Sequence, residues 1–216
     1  MNVLGFDTST AATTACVLRS DGEAFEYEPP VERLFERPGH TRELMPAIDR
    51  LMREADLGFA DLDAIAVGIG PGGFTGLRIG IATAHGIAQS AGIPLHAILS
   101  LTALAAGIES DVPFPLIDAK RNEAYGLGPE PFVGPIDYAI GKAPEGALAA
   151  GDGSIRFREA LESAGIRVAP GDSRMHVVRG LYICRLAETV HPAPPESVVP
   201  CYLRAPDAKP PSRSAG

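Results

Sequence analysis

The sequence predicts an α/β fold built as two related lobes, and three stretches carry that prediction. Residues 64–92 read as a short apolar strand, a glycine-dense turn and an apolar-rich helix. Residues 2–6 form an apolar strand that runs into Asp7-Thr8-Ser9-Thr10 and returns as a second strand over 13–18. The same order of strand, Asp and return strand comes back at 115–125, where Asp118 precedes Ala119-Lys120-Arg121-Asn122. A strand–Asp–hairpin unit met twice suggests duplication. The first lobe is expected over 1–100, the second over 101–205, and a disordered tail over 206–216.

Composition narrows the function classes. Apolar residues make up 45% of the 216, enough for a substantial core. The formal net charge is −8. That argues against strong binding of nucleic acid by this chain alone, because phosphate neutralisation needs a basic face. A role beside a basic partner is not excluded. Cys16, Cys184 and Cys201 are odd in number and lack C-x-x-C spacing, as expected in a reducing cytosol. Asp7 interrupts the first apolar run and no basic segment precedes it, so no signal peptide is expected. No apolar run approaches the length of a membrane span.

In chain order, Asp21-Gly22 marks a hairpin between the strand at 13–18 and another at 23–27. The Asp7–Thr10 cluster has two readings: a turn presenting hydroxyls and N–H groups to a phosphate, its carboxylate holding a metal-bound water, or an Asx/ST turn capping the hairpin. Residues 29–39 read as a loop and 40–55 as an amphipathic helix. Pro46 places the helix start at about 41–43, and Gly58 its end. Leu44, Ile48, Leu51 and Ala55 form its stripe, widened by Met45 and Met52. That stripe reads equally as core packing or as a subunit interface.

Gly70, Gly72, Gly73 and Gly76 form the glycine loop of the central unit. Gly68, Gly70 and Gly73 match a dinucleotide fingerprint on paper. However, no Asp or Glu lies between Asp63 and Glu109, so the ribose-binding acid is missing. Phe74-Thr75 stands where a Walker loop has Lys-Ser/Thr. The glycines thus serve either a tight strand-to-helix turn or an anion. The helix that follows carries Leu77, Ile81, Ala84 and Ala88 at helical spacing. Further on, a strand is expected at 94–99, Ser100 as cap of a helix over 101–107, and a loop-rich connector at 126–144. Helices are expected at 154–164 and 175–189. His40 is a lone histidine, since Leu44 stands one helical turn on; His85 and His96 read as packed. No G-x-S-x-G sequence is present.

DTST at 7–10, DLDAIAVGIGPGGFTGLRIG at 61–80, DAKRNEAY at 118–125 and PCYLRAPDA at 200–208 together resemble the bacterial TsaB (YeaZ-like) family. Gly73 departs from the family's usual Ser, Ala124 from its Val, and the 126–144 stretch looks shortened. The resemblance implies an actin/hexokinase/Hsp70-like (ASKHA) fold of two βββαβα-type lobes, the second reduced. It implies a non-catalytic subunit in the making of threonylcarbamoyladenosine beside the anticodon of tRNAs that read codons beginning with A. The implied partners are a TsaD-like catalytic subunit and a TsaE-like ATPase, with a homodimer when the chain is alone and tRNA met only through the complex. No cofactor of its own is implied: ATP and a metal ion belong to the partners, and a nucleotide at a subunit boundary is left open. The catalytic relatives hold a metal with a histidine pair, of which only His40 has a counterpart here. Asp7, Thr8, Ser9 and Thr10 become a degraded phosphate turn. The implied interface comprises Leu44, Met45, Ile48, Leu51, Met52, Leu77, Ile81, Ala84, His85 and Ala88. An ATP-dependent small-molecule kinase of the same fold is the competing class. A glycopeptidase has little support, lacking a metal pair or a nucleophile dyad.

Overall fold

The structure is a computed structural model that describes residues 1–204; the tail expected to be disordered lies outside the described residues. The first sheet begins with an antiparallel meander of β1 (Val3–Asp7), β2 (Thr14–Leu18) and β3 (Ala24–Tyr27). After helix α1 (His40–Glu54), β4 (Ala64–Gly68) joins β1 in parallel. Helix α2 (Phe74–Ala91) then crosses over to β5 (Leu95–Ile98), which lies parallel to β4, and α3 (Ser100–Ala106) follows. The strand order is β3-β2-β1-β4-β5.

The second lobe repeats this path. An antiparallel meander of β6 (Pro113–Asp118), β7 (Glu123–Leu127) and β8 (Pro131–Pro135) leads to α4 (Ile136–Ile140). Next come β9 (Leu148–Ala150), α5 (Asp152–Arg156), α6 (Arg158–Ser163), β10 (Arg167–Val168) and α7 (Gly180–Ala187). The order β10-β9-β6-β7-β8, with β9 parallel to both β6 and β10, reproduces the first sheet strand for strand.

The second lobe thus keeps the strand number, and its shorter strands are β9 and β10, of three and two residues. The expected connector at 126–144 holds β8 and α4 instead. β8 pairs residue for residue with β7, from Glu123↔Pro135 to Leu127↔Pro131. Its prolines are tolerated because an edge strand has one side without ladder partners. Gly126 makes room for the Phe132 ring, which would lie 2.3 Å from a Cβ there.

Three helices begin or break where periodicity did not place them. α1 starts at His40 with Pro46 inside it. Its first turn forms on Gly39, whose carbonyl accepts from the Arg42 and Glu43 N–H groups at 2.8 and 3.1 Å. Pro46 and Arg42 are both exposed, so water can take the carbonyl that the proline leaves unbonded. The end of α1 is turned by Asp56 at φ 53°, while Gly58 precedes a separate 3-10 helix, Phe59–Asp61. The helix expected at 154–164 breaks at Phe157 into α5 and α6. That expected from 175 starts only at Gly180: Arg179 before it is extended (φ −83°, ψ 138°), and the Thr14 hydroxyl donates to the Val178 carbonyl at 2.6 Å. Gly180 permits close approach: a Cβ there would lie 2.5 Å from the Ala15 carbonyl carbon. The loop at 29–39 contains a 3-10 helix, Val31–Phe35.

β1, β2 and β4 are buried at every residue because both faces of the first sheet are covered. On one face, Leu44, Ile48 and Leu51 of α1 and Ile81, Ala84 and Ala88 of α2 pack on Leu4, Phe6, Ile65 and Val67. On the other, Leu101 and Leu104 of α3 and Ile183 and Cys184 of α7 join Val3, Ala66 and Ile117 in one core between the lobes. The 100/101 boundary thus falls at a helix that packs on β6, and α7 lies on β1 and β2. The lobes exchange helices at their base.

Candidate functional site: the cleft between the lobes

The ends of β1 and β6 face a cleft of about 1050 Å³ between the lobes. One wall is Ser9, Thr10, His40 and the 72–76 loop; the other is Asp118, Lys120, Asp152 and Arg156, with Arg204 at its edge. Phe35 and Phe74, both more than half exposed, and the partly buried Tyr125 add aromatic surface.

Each lobe closes its first hairpin in the same way. Asp7 Oδ1 accepts from the Ser9 N–H at 2.8 Å, and Asp118 Oδ1 from the Lys120 N–H at 2.8 Å. Both are Asx turns. Asp7 is saturated beyond this: the Ser9 hydroxyl donates to Oδ1 at 2.6 Å and the Ser100 hydroxyl to Oδ2 at 2.5 Å. Burial raises its pKa, opposed by those hydrogen bonds. The carboxylate expected to hold a metal-bound water is thus engaged in the fold, and Asp7 is not among the cleft-lining residues. Thr8 also turns inward, donating to the Gly76 carbonyl at 2.8 Å. Ser9 and Thr10 alone of the expected phosphate turn line the cleft.

Ser100 was expected to cap α3. Instead it lies inside the helix's first turn, and its hydroxyl also accepts from the Gly70 N–H at 3.0 Å. It ties the end of β1 to the glycine loop, a long-range pairing that sequence spacing does not reveal.

The glycine loop is shaped to receive the Asp7–Thr10 turn. A Cβ at Gly72 would lie 2.2 Å from the Ser9 carbonyl oxygen, and one at Gly76 2.1 Å from that of Thr8. One at Gly80 would meet the Thr8 hydroxyl at 2.3 Å. Gly70 has φ 95°, a conformation that favours glycine. Gly73 is different: a Cβ there meets nothing nearer than 3.5 Å, which leaves space for the serine expected of the family.

The second lobe's turn is built from Lys120, Arg121 and Asn122 in succession at φ 60°, 53° and 60°. Three left-handed non-glycine residues in a row are uncommon. Lys120 Nζ folds back on Asp118 Oδ2 at 2.8 Å, and Arg156 reaches the same oxygen at 3.2 Å. Asp152 accepts from the Asp118 N–H at 2.9 Å. Burial, with the Asp118 charge adding to it, pushes the Asp152 carboxyl up to about 6. His40 is buried, its Nδ1 2.9 Å from the Thr13 hydroxyl, which donates to Glu43 at 2.9 Å. Burial lowers its pKa, against the pull of Asp7 and Glu43. Among the described residues, no group of three or more His, Cys, Asp or Glu could hold a metal ion.

The expected interface residues divide sharply. Leu44, Ile48, Leu51, Met52, Ile81, Ala84 and Ala88 are buried in the first lobe's own core, and Leu77 is buried beside Gly70. They cannot also present a surface to a partner in this conformation. His85 is half-buried, its Nε2 3.1 Å from the Val198 carbonyl. Of the expected set, Met45 is exposed, at 47%. Phe74, Ala82 and Gly86 of α2 are exposed as well. The residues missed were Phe35, at the end of a 3-10 helix, Asp152 and Arg156, at the two ends of the short α5, and Arg204, on irregular backbone; the Gly-Asp-Gly sequence after β9 was the one local signal for Asp152. Among the described residues, no helix is long and apolar enough to cross a membrane.

Residues 36–144 match the family model described as TsaD: tRNA N6-adenosine threonylcarbamoyltransferase. The uncharacterized protein ML0378 of Mycobacterium leprae is 32% identical over 222 residues, covering 96% of this chain and 56% of that protein. The tRNA threonylcarbamoyladenosine biosynthesis protein TsaB of Haemophilus influenzae is 36% identical over 129 residues, 58% of this chain and 52% of that protein. The chain thus spans about half the length of these two relatives. Among solved structures, YeaZ from Pseudomonas aeruginosa superposes with a TM-score of 0.77 at 26% identity, covering 93% of this chain and 100% of that one. The duplicated sheets and the interlobe cleft are those of the actin/hexokinase/Hsp70 (ASKHA) class. With a family-model match over half of the chain and that superposition over nearly its whole length, the chain belongs to the TsaD family of threonylcarbamoyladenosine proteins, as a TsaB (YeaZ)-like member.

Proposed function

We propose that this chain is the non-catalytic subunit that binds and activates a TsaD-like catalytic subunit. The complex would modify the adenosine beside the anticodon in tRNAs reading codons that begin with A. The observation that carries the reading is on α1. One turn after His40, where the catalytic relatives have their second metal-binding histidine, stands Leu44, 1% exposed in the core. A TsaE-like ATPase would join the pair, tRNA would be met through the complex, and the free chain would form a homodimer in the cytoplasm. ATP and the metal ion would sit on the partner subunits, and a nucleotide at the subunit boundary fits the same scheme. The docking face is the exposed side of α1 and α2, carrying Met45, Phe74 and Ala82.

The experiment is Met45→Glu, tested by co-purification with the catalytic subunit. Met45 is exposed, so the fold should survive, whereas a charge at a packed apolar contact should weaken association by roughly tenfold or more. Association at the wild-type level would remove α1 from the interface. Ile81→Glu is unsuitable, since Ile81 is 6% exposed and the variant would unfold. A kinase reading has the interlobe cleft in its favour. Against it, Asp7 and Asp118 are both engaged by the fold's own donors.

A further inference from the structure

After α7 the chain returns along the first lobe and then crosses the cleft. Ala193 donates to the Leu95 carbonyl at 2.9 Å, extending the edge of β5, and Val198 is buried in the first lobe's core. The Cys201 N–H donates to the Ile69 carbonyl at 2.8 Å, at the root of the glycine loop. Tyr202 stacks on Phe74 with ring centroids 5.5 Å apart, and its hydroxyl accepts from Arg78 Nε at 3.2 Å. The Arg78 guanidinium lies 3.7 Å over the other ring of the pair, Phe74. Two residues later, Arg204 donates to the Ala119 carbonyl at 3.2 Å and pairs with Glu123, both on the second lobe's β6–β7 hairpin.

We propose that residues 198–204 are a strap that ties the two walls of the cleft together and sets its width, with Tyr202 as the anchor on the first lobe and Arg204 as the hook on the second. The base of the cleft is already fixed by the core of α3 and α7. Beside the cleft the lobes also meet in a smaller apolar cluster, where Ala12, Val31 and the cleft-lining Leu34 pack with Val177 and Ile155. The strap is a separate tie, and the hairpin that Arg204 holds is the turn of three left-handed residues. The hook grips that turn through the carbonyl of Ala119, which itself lines the cleft. The anchor also sits on exposed α2 surface, so anything that covers Phe74 and Arg78 acts on the strap.

The test is hydrogen exchange on the full chain with Arg204→Glu, Glu123→Arg and the two combined. The reporters are the Ala119 N–H, bonded to the carbonyl at position 123 at 3.0 Å, and the Gly73 N–H, bonded to the Ser9 carbonyl at 2.7 Å across the first wall. Each single variant should speed exchange at Ala119 about fivefold, the effect of a partly exposed ion pair. Gly73 should follow in the same direction, and β1 amides should not change. The combined variant, with the charges swapped, should restore slower exchange at both reporters. Unchanged exchange at Ala119 in both single variants would mean that the hairpin holds itself, and would overturn the strap. Faster exchange spread equally over β1, or no recovery in the combined variant, would reduce Arg204 to general stabilisation and overturn it too.

Discussion

Gly76→Ala is expected to destabilise the chain by about 2–3 kcal/mol, although alanine is the better helix former. The added methyl would stand 2.1 Å from the Thr8 carbonyl oxygen and 2.9 Å from His40 Nε2. Neither neighbour can retreat. Thr8 is held by its own hydrogen bond to the Gly76 carbonyl, and His40 is buried against Thr13. The control lies in the same helix. Gly86 has nothing within 4 Å of a built Cβ and is exposed. Gly86→Ala should therefore stabilise by about 0.5–1 kcal/mol. Urea unfolding of both variants reads the two signs directly. If both were stabilising, the 7–10 turn would not be seated on α2, and the account of the glycine loop would fail with it.

The second large effect is expected at Asp152. Its carboxyl is raised from 3.8 to about 6 by burial. The folded chain thus holds this proton more tightly than the unfolded chain does. The stabilisation from the protonated acid is fully present below about 3.8 and is lost as pH rises through about 6. Asp152→Asn removes the buried charge yet keeps an oxygen to accept from the Asp118 N–H. The variant should exceed the parent by roughly 1–3 kcal/mol at pH 8, with no advantage at pH 4. Thermal unfolding across that range checks it. A variant less stable at pH 8 would show that the ionised carboxylate is held by partners strong enough to offset its burial.

Much of this fold was legible because strand, Asp and hairpin recur as local units. Asp7 and Asp118 end β1 and β6, and each accepts from the N–H two residues on. Those contacts are set within three residues, so sequence spacing carries them. What was not legible depended on distant partners. The apolar stripe of α1 could not reveal whether Leu44 meets β1 or another subunit; the sheet takes it. Ser100 reads as a cap until Asp7, 93 residues earlier, is found beside it. β8 was hidden by prolines that only an edge strand tolerates, and α7 shows nothing of its place on the first sheet. The cleft joins turns from both lobes with Arg204, so no single stretch of sequence announces it.

The measurement that bears most directly on the central claim is a drop-out assay of tRNA modification. The catalytic subunit, the ATPase, threonine, bicarbonate, ATP and tRNA are combined with and without this chain, and the chain is also assayed alone. Modified adenosine is read by mass spectrometry. Modification that needs this chain, with none from the chain alone, is the expected result. Modification that proceeds equally well without it, or that the chain performs by itself, would contradict a required, non-catalytic subunit.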